Sequence, residues 1–318
     1  MSQRRSKRKV RCTLPEYQVQ EVLSMQDIKQ NVGWGITAFD LPKAWESTQG
    51  EGVVIAVLDT GCDLDHPDLK NNLLPGINFI NRNKEPNDDN QHGTHVTGII
   101  CAENNEIGMV GVAPKAKVIP VKVLDAKGNG DMNSVASGIS WAADNGADII
   151  SMSLGCPSPL NSTLKAIRYA ASKGVVTFCA AGNAGVTKEI FYPANYKETI
   201  SIGSIDENFD RSSFSNTGKN LDFLAPGGQI FSTVPDNWYA ILSGTSMACP
   251  FAVGVAALCL SYQRKYFPEH PLRSAQAYRD LLKSHTVPVS NPEYANKQFF
   301  QGFGIIDPRK LKEWISQH

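Results

Sequence analysis

The sequence predicts an α/β protein with a doubly wound, mostly parallel sheet, flanked by helices on both faces, in a single large domain. From about residue 50, short β-branched runs alternate with longer segments of helical period. Turns containing Gly or Asp separate them, and this alternation implies parallel strands joined by right-handed crossovers. The 318 residues, 42% of them hydrophobic, can bury a large core, and neither an internal repeat nor a low-complexity linker divides them.

The individual elements follow from these two periods. The β-branched runs are GVVIAVLDTG (52–61), AKVIPVKVLD (116–125), ADIISMSLG (147–155), VVTFCAAGN (175–183) and ETISIGSID (198–206). Segments of helical period lie near 93–103, 131–145, 160–173, 245–263 and 273–284. Residues 41–318 are therefore predicted to form the α/β domain. Residues 1–40, whose mixed pattern shows no core of its own, are predicted to be an N-terminal extension and linker.

Charge and hydropathy argue against several classes of partner. The formal net charge is zero, so no broad electrostatic field attracts nucleic acid or a membrane. The basic run MSQRRSKRKVR at the start is predicted to be a solvated tail, with a nucleic-acid or membrane arm as the alternative. No apolar stretch follows it that would serve as a signal peptide, and no segment is predicted to span a bilayer.

The seven cysteines are scattered along the chain without CxxC spacing. This distribution argues against a zinc site and against a disulfide framework. Several of them fall in runs that read as buried strand or helix, such as VVTFCAAGN and VAALCLSY. Reduced thiols and the lack of a signal peptide together predict a cytoplasmic protein.

Polar residues follow three of the predicted strands at their carboxyl ends. These are Asp59-Thr60-Gly61, Ser153-Leu154-Gly155 and Gly182-Asn183. In open parallel sheets, ligands bind beyond the carboxyl ends of the strands. We therefore expect these residues side by side on one edge.

Two histidines and one serine stand at predicted helix starts. His92 and His95 are spaced i, i+3 in QHGTHVTG, but without HExxH or a third ligand the zinc interpretation is weak, and structural histidines remain the alternative. Ser246, in GTSMACPFAVG, has Cys249 three residues on and no histidine nearby. Serine becomes a nucleophile when a carboxylate-oriented histidine removes its proton. Asp59, His92 and Ser246 form such a set if the fold brings them together.

Five sequence motifs of the chain resemble those of a known family. VLDTGCDLDHPDL, HGTHVTG, SMSLG, AAGN and SGTSMACP occur in the order and spacing of the subtilisin family, over nearly all of residues 40–265. The resemblance implies that Asp59 orients His92, that His92 is general base and acid, and that Ser246 is the nucleophile. It also implies that Asn183 donates to the oxyanion together with the Ser246 backbone N–H. Cys249 is then expected to pack, and Phe251 replaces a histidine that the family often carries outside the triad.

The resemblance further implies that a peptide binds as an added strand between KGNGD (127–131) and SLGC (153–156). Gly128, Asn129 and Gly130 offer backbone without bulk, although an ordinary loop has the same composition. The P1 pocket is expected between Ser153, Leu154, Gly155 and the strand end 180–182, with Phe191 near its floor. A phenylalanine there predicts a shallow pocket for medium-sized apolar P1 side chains.

Two structural calcium sites are implied as well. The first would use Asp68, the Asn105 side chain and the carbonyls of Glu103, Ile107 and Met109; the second, the carbonyls of Ala194, Tyr196 and Thr199 with Asp222. The alternative is that Asp68 caps a helix and the asparagines form turns. Many relatives complete the first site with an N-terminal glutamine, for which the sequence shows no clear equivalent.

Finally, CTLPEYQVQEV (12–22) and the stretch after residue 262 resemble the intracellular bacterial subtilisins. This resemblance implies a cytoplasmic serine endopeptidase, a homodimer, and an extension that covers the active site as a pseudo-substrate. Pro15, with no N–H and a fixed φ, would bend the strand away from Ser246. An unregulated tail is the alternative for the extension. A non-catalytic peptide-binding relative and an acyl-transferring variant are the alternatives for the activity.

Overall fold

The computed structural model describes residues 10–24, 30–185, 189–269 and 272–310. Its strands are β1 (Arg11–Thr13), β2 (Gln18–Ser24), β3 (Val54–Asp59), β4 (Ile77–Asn78), β5 (Lys117–Lys122), β6 (Asn129–Asp131), β7 (Ile149–Met152), β8 (Val176–Ala180), β9 (Ile200–Ile205), β10 (Phe223–Pro226), β11 (Ile230–Val234), β12 (Trp238–Ser243), β13 (Thr286–Val287) and β14 (Ile305–Ile306). Its α-helices are α1 (Trp34–Ala38), α2 (Leu41–Trp45), α3 (His92–Cys101), α4 (Met132–Asp144), α5 (Asn161–Ser172), α6 (Thr245–Tyr266), α7 (Ala275–Lys283) and α8 (Gln298–Gln301).

The central sheet has nine strands in the order β13-β14-β10-β9-β8-β7-β3-β5-β4. Every pairing in it is parallel except that of β13 with β14. From β3 the chain passes through α3 to β5 on one side, then returns through α4 to β7 on the other side of β3. Right-handed crossovers in opposite directions place α3 and α4 on opposite faces. The predicted fold class, a doubly wound, mostly parallel α/β sheet, is confirmed.

The strands of this sheet are buried on both faces. All six residues of β9 and all five of β8 are buried, which explains why these segments read as continuous apolar runs rather than alternating ones. Helices α3 and α6 pack against each other, as do α4 and α5 on the opposite face. The hydrophobic core therefore runs along the whole sheet, and the carboxyl ends of β3, β7 and β8 form one rigid edge.

Helix α6 corrects one expectation from the sequence. The helix has 22 residues, and an 18-residue stretch of it has a mean hydropathy of 1.5, so by length and composition it is able to cross a membrane, contrary to the prediction that no segment is. In the structure this apolar stretch is completely buried within the protein. The composition therefore reflects a core helix that is covered on all sides.

The N-terminal segment lies on the surface of the domain in two strands. β1 pairs antiparallel with β6, and β2 pairs antiparallel with β12 at the edge of a second, three-stranded sheet, β11-β12-β2. Helix α1 and the residues after it bury Ile36 and Phe39 in the core. Of the basic run 1–11, only Val10 and Arg11 fall within the described residues.

Candidate active site

Asp59 and His92 form a buried pair at the carboxyl end of β3. Both side chains are fully buried, and His92 Nδ1 lies 2.8 and 3.0 Å from the two oxygens of the Asp59 carboxylate. Asp59 also accepts from the Thr60 backbone N–H at 2.7 Å. With Nδ1 donating to the carboxylate, the lone pair of the ring stands on Nε2, on the far side of the imidazole. Among the described residues, Nε2 has no hydrogen-bond partner.

The loop before α3 holds His92 in this position. Gln91 has φ 138°, a left-handed conformation that non-glycine residues rarely adopt, directly before the histidine. Asp88 accepts from the backbone N–H groups of Asn90, Gln91 and Thr94 and from the Thr60 hydroxyl, at 2.8–3.2 Å. Sequence reasoning missed Asp88, because an aspartate within a run of five acidic and amide residues, NDDNQ (87–91), carries no distinguishing pattern.

Ser246 lies in the first turn of α6, fully buried. Pro250 has no N–H, so the Ser246 carbonyl lacks its helical donor; the Ser153 hydroxyl donates to that carbonyl instead, at 2.9 Å. The Ser246 hydroxyl donates in turn to the Ser153 carbonyl, at 3.4 Å. In this state the serine hydroxyl is thus directed to β7 and not to His92.

The Asn183 side chain presents an oriented N–H donor beside Ser246. Its Oδ1 accepts from the Thr245 backbone N–H at 2.8 Å and from the Thr245 hydroxyl at 2.7 Å. These two bonds fix the amide so that Nδ2 faces outward, where it donates to the Glu16 carbonyl at 2.7 Å. The site therefore already binds a peptide carbonyl at the position that the sequence assigned to an oxyanion.

His95 and Cys249 lie outside this arrangement. His95 Nε2 lies 3.1 Å from the carbonyls of both Ile230 and Ala240, and burial lowers the pKa of His95 to about 3, so the ring is neutral. Cys249 is fully buried, and burial raises the pKa of its thiol to about 12. No group of three or more His, Cys, Asp or Glu side chains gathers as a metal centre in the part of the chain that the structure describes.

The N-terminal strand occupies the predicted substrate cleft. Thr13 exchanges two backbone hydrogen bonds with Gly155, at 3.1 and 3.2 Å, and the Leu14 N–H donates to the Gly128 carbonyl at 3.0 Å. β1 thereby lies as an added strand between β6 and the SLGC segment. Gly128 has φ 72°, and a Cβ at this position would come within 2.8 Å of the Leu14 side chain. Glycine thus lets the two backbones approach.

The pairing of the N-terminal strand with the cleft ends at Pro15, beside Ser246 and Asn183. Pro15 has no N–H to donate to the Ser153 carbonyl, and that carbonyl accepts the Ser246 hydroxyl instead. The next carbonyl, that of Glu16, is the one bound by Asn183. The Tyr17 ring then covers His92, with ring centroids 5.0 Å apart. Tyr17 is a second residue of this site that sequence reasoning did not single out.

Phe191 closes the predicted P1 pocket. A Cβ on Gly155 would lie 3.1 Å from the Phe191 Cβ, and one on Gly182 would lie 3.0 Å from the Phe191 ring. Leu154 is fully buried and Ser153 nearly so. Phe191 thus lies close to both Gly155 and Gly182, and its place at the floor of a P1 pocket stays a prediction.

Oxygen atoms converge at the first predicted calcium site. Asp68 accepts from the Asn105 amide at 3.1 Å, the Met109 N–H at 3.0 Å and the Tyr239 hydroxyl at 2.9 Å, while burial raises the pKa of its carboxyl. The Gln30 amide contacts the carbonyls of Glu103 and Met109, at 3.0 and 3.4 Å. The sequence analysis did not single out Gln30. One carboxylate, two side-chain amides and backbone carbonyls form a donor set that fits Ca²⁺.

The second predicted calcium site is wrong. The Arg279 guanidinium bonds both oxygens of Asp222, at 2.7 and 3.0 Å, and also the Thr199 carbonyl. The remaining carbonyls of that set, those of Ala194 and Tyr196, accept from the Thr199 hydroxyl at 3.3 and 2.9 Å. A side-chain cation therefore satisfies the carboxylate for which calcium was predicted, and these residues do not fit a metal ion.

Comparison with known proteins identifies the family of the chain. The model of the subtilase family matches residues 50–304. An intracellular serine protease of Paenibacillus polymyxa is 42% identical over 281 residues, which cover 85% of each chain. The major intracellular serine protease of Bacillus subtilis (strain 168) is 42% identical over 265 residues, 80% of this chain and 82% of that protein. Subtilisin Savinase of Lederbergia lenta is 46% identical over 230 residues, 72% and 84% of the two chains.

The doubly wound parallel sheet carries a buried carboxylate–histidine pair, a serine at a helix start and an amide donor. Together with the family match, this combination defines a serine endopeptidase, which acts on polypeptides. The chain belongs to the subtilase family, as its sequence motifs predicted. Subtilases generally bind calcium.

Proposed function

We propose that Ser246 is the nucleophile, His92 the general base and acid, Asp59 the carboxylate that orients it, and Asn183 the side-chain oxyanion donor. The observation that carries this assignment is the Asn183 amide, which holds a peptide carbonyl beside Ser246. In catalysis the Ser246 hydroxyl turns from the Ser153 carbonyl to His92 Nε2 and attacks the scissile carbonyl as Nε2 takes its proton. His92 gives this proton to the leaving amine, and water then hydrolyses the acyl-enzyme in the same way.

Electrostatic stabilisation in this mechanism comes from groups that are already oriented. Asn183 Nδ2 and the Ser246 backbone N–H donate to the oxygen that becomes negative in the tetrahedral intermediate. Asp59, buried and bonded to Nδ1, stabilises the imidazolium that forms. Thr245 holds the Asn183 amide and the Thr60 N–H holds the Asp59 carboxylate, so little reorganisation accompanies the reaction.

We further propose that residues 1–40 act as an inhibitory extension of the peptidase domain, 41–318. Three features support it: β1 fills the cleft as a pseudo-substrate, Pro15 removes the N–H that a substrate would donate to the Ser153 carbonyl, and Tyr17 covers His92. Asn183 binds the Glu16 carbonyl, while the Ser246 hydroxyl donates to the Ser153 carbonyl and not to His92. Removal of the strand by proteolysis would free the cleft.

The cleft also suggests a substrate preference. Backbone groups of Gly128, Asn129, Gly130, Ser153 and Gly155 pair with an extended substrate of any sequence, and the Phe191 side chain limits the depth of the P1 pocket. Medium-sized apolar P1 side chains are thus favoured. Tetrapeptide substrates with Leu, Ala or Phe at P1 test this, and strong preference for Phe would refute it.

Calcium is proposed at the first site alone. Asp68 and Asn105, the carbonyls of Glu103, Ile107 and Met109, and the Gln30 amide would hold the ion. It would supply a positive charge to the buried Asp68 carboxylate and fasten residue 30 of the extension to the domain.

We place the enzyme in the cytoplasm. Two relatives that cover most of the chain are named intracellular proteases. All seven thiols are free and buried, as a reducing compartment allows. A homodimer, and the lack of nucleic-acid or membrane partners, remain proposals from the sequence.

Mass analysis of the products from a peptide substrate tests the assigned chemistry. The full chain, after removal of its extension, should produce two hydrolysis fragments, and the Ser246→Ala variant should produce none. Ligated or cyclised products would favour the acyl-transferring alternative. An unchanged peptide with both proteins would favour the peptide-binding alternative.

A further inference from the structure

Two cysteines face each other where the N-terminal strand is seated in the cleft. Thr13 and Gly155 form an antiparallel bridge and exchange both of their backbone hydrogen bonds. One step along the same register, Cys12 stands opposite Cys156. A position next to such a bonded pair is a non-hydrogen-bonded pair, where the Cα atoms lie about 4.5 Å apart and the side chains share one face. This separation is within the range that a disulfide bridges.

The surroundings of the two thiols agree with this register. Cys12 is fully buried and Cys156 is 3% exposed, and both belong to the same hydrophobic cluster. Burial, and after it the nearby Cys156 thiol, raise the pKa of Cys12 to about 12. Cys156 Sγ now donates to the Ser158 carbonyl at 3.1 Å. Both thiols are free in this structure.

We propose that Cys12 and Cys156 are a redox modification site, at which a reversible disulfide fastens the inhibitory strand covalently into the active-site cleft. The proposal rests on the inhibitory role proposed above for the extension. Cys12 belongs to the N-terminal strand, which must leave the cleft, and Cys156 belongs to the cleft itself. A disulfide between them therefore prevents the strand from leaving and exposing Ser246.

The oxidant is a low-molecular-weight disulfide, RSSR. While the strand is lifted, Cys156 is uncovered; its thiolate attacks RSSR, an S–S bond forms to one RS group, and the other leaves as RSH with the proton that Cys156 lost. When the strand docks again, the Cys12 thiolate attacks Cys156 Sγ, and the second RS group leaves as RSH. In total, two cysteine thiols lose two electrons and one RSSR is reduced to two RSH.

The raised pKa values explain why the closed state does not oxidise readily. Buried thiols that hold their protons are poor nucleophiles, so exchange waits for the strand to lift. Cytosolic disulfides are typically transient and regulatory, and a bond made through an opening strand and reversed by thiols is of this type.

The test uses the full chain with Ser246→Ala, which cannot process itself. The protein is incubated with oxidised glutathione, free thiols are blocked with N-ethylmaleimide, and the disulfide peptides are mapped by mass spectrometry. We expect one cross-link, between the peptides that contain Cys12 and Cys156, and its complete loss on treatment with dithiothreitol. Cys12→Ala and Cys156→Ala should abolish it, and the matched control Cys259→Ala, in the core of α6, should keep it.

A second readout follows the strand itself. When the oxidised protein is cut within residues 18–30 by an added protease, the fragment that carries Cys12 should stay bound under denaturing conditions and be released by dithiothreitol. Glutathione adducts on Cys156 without a Cys12 cross-link, or cross-links equally distributed over other cysteines, would overturn the proposal. This result is independent of activity; deletion of residues 1–17 in the active enzyme tests the inhibitory role by itself.

Discussion

At the scale of single residues, the catalytic assignment depends most on how Asn183 is held. The backbone N–H and the hydroxyl of Thr245 both donate to Asn183 Oδ1, so Asn183 Nδ2 has one direction in which to donate. The amide therefore acts as a preorganised donor and does not have to be oriented by substrate.

Replacing Asn183 with Leu should reduce kcat about 10²–10³-fold, which is the magnitude measured for the equivalent donor in subtilisin itself. KM should change little, because the lost bond forms mainly to the developing oxyanion. Steady-state kinetics of the variant, with the extension removed, check this. A change confined to KM would show that Asn183 binds the ground state instead.

Arg279 is the residue that replaces an expected metal ion. Arg279 and Asp222 are 15% and 10% exposed, so removing one charge leaves the other largely buried. We expect Arg279→Ala to lower the free energy of unfolding by about 3–5 kcal/mol, and added calcium to restore part of the loss. Urea unfolding in the Ser246→Ala background measures both.

The control for Arg279 is Arg168→Ala. Arg168 is 58% exposed in its pair with Glu198, and exposed pairs contribute about 0–1 kcal/mol. Equal effects of the two substitutions, or the absence of any response to calcium in Arg279→Ala, would contradict a substituted cation site.

At the scale of elements, the proposed inhibition depends on β1. Its ladder to Gly128, Gly130 and Gly155 uses the same backbone groups that a substrate strand needs, so the two exclude each other. β2 adds a longer contact along β12 beyond the active site.

Deleting residues 1–17 should therefore raise the activity of freshly made protein at least about tenfold, because an intramolecular strand competes at high effective concentration. Deletion of residues 1–9, which leaves β1 and Tyr17 in place, is the control, and this shorter protein should stay inhibited. Both are measured as initial rates on a peptide substrate. Equal initial rates for the two deletions would refute inhibition by the strand.

The elements differ in how far the sequence predicted them. β3, β5, β7, β8 and β9 were found because buried parallel strands are β-branched runs. β2 was missed because six of its seven residues are exposed and so carry no pattern of burial. Its position depends on pairing with a strand more than two hundred residues away.

The residues of the candidate site also differ in how far the sequence predicted them. Asp59, His92, Ser246 and Asn183 were found because strand ends and family motifs identify them. Gln30 and Arg279 act through partners 73 and 57 residues away, and a single amide or guanidinium in the sequence does not reveal such partners. The second calcium site was therefore predicted without Arg279, the side-chain cation that bonds Asp222 and the Thr199 carbonyl.

At the scale of the whole molecule, buried histidines link stability to pH. Burial lowers the pKa of His95 to about 3 and also lowers that of His66, whereas in the unfolded chain a histidine takes up its proton near pH 6.5. Between these values the unfolded state binds more protons, so the free energy of unfolding falls as the pH drops.

We expect His95 alone to lower the free energy of unfolding by about 1.4 kcal/mol for each pH unit below 6.5. His95→Gln, which keeps a donor for the carbonyls of Ile230 and Ala240, should reduce this slope while the other groups continue to titrate. Urea unfolding of Ser246→Ala between pH 5 and pH 8, with and without the second substitution, gives the difference. Parallel pH profiles of the two proteins would show that His95 is not held neutral.

Taken over the whole chain, the structure is a peptidase domain whose own N-terminal strand lies where substrate belongs. The fixed parts are the Asp59–His92 pair and Asn183; the part that changes is the Ser246 hydroxyl, which the docked strand leaves directed to the Ser153 carbonyl. Ser246 is thus proposed to be an activated nucleophile that the N-terminal strand covers and uncovers when it is removed.

The most direct measurement is the rate at which a peptidyl phosphonate ester, which phosphonylates an activated serine in the cleft, labels the protein. Mass mapping should place one adduct on Ser246, with fast labelling after deletion of residues 1–17 and slow labelling of the full chain. An adduct elsewhere, no adduct on Ser246 in the deleted protein, or equal rates in the two proteins would contradict the account.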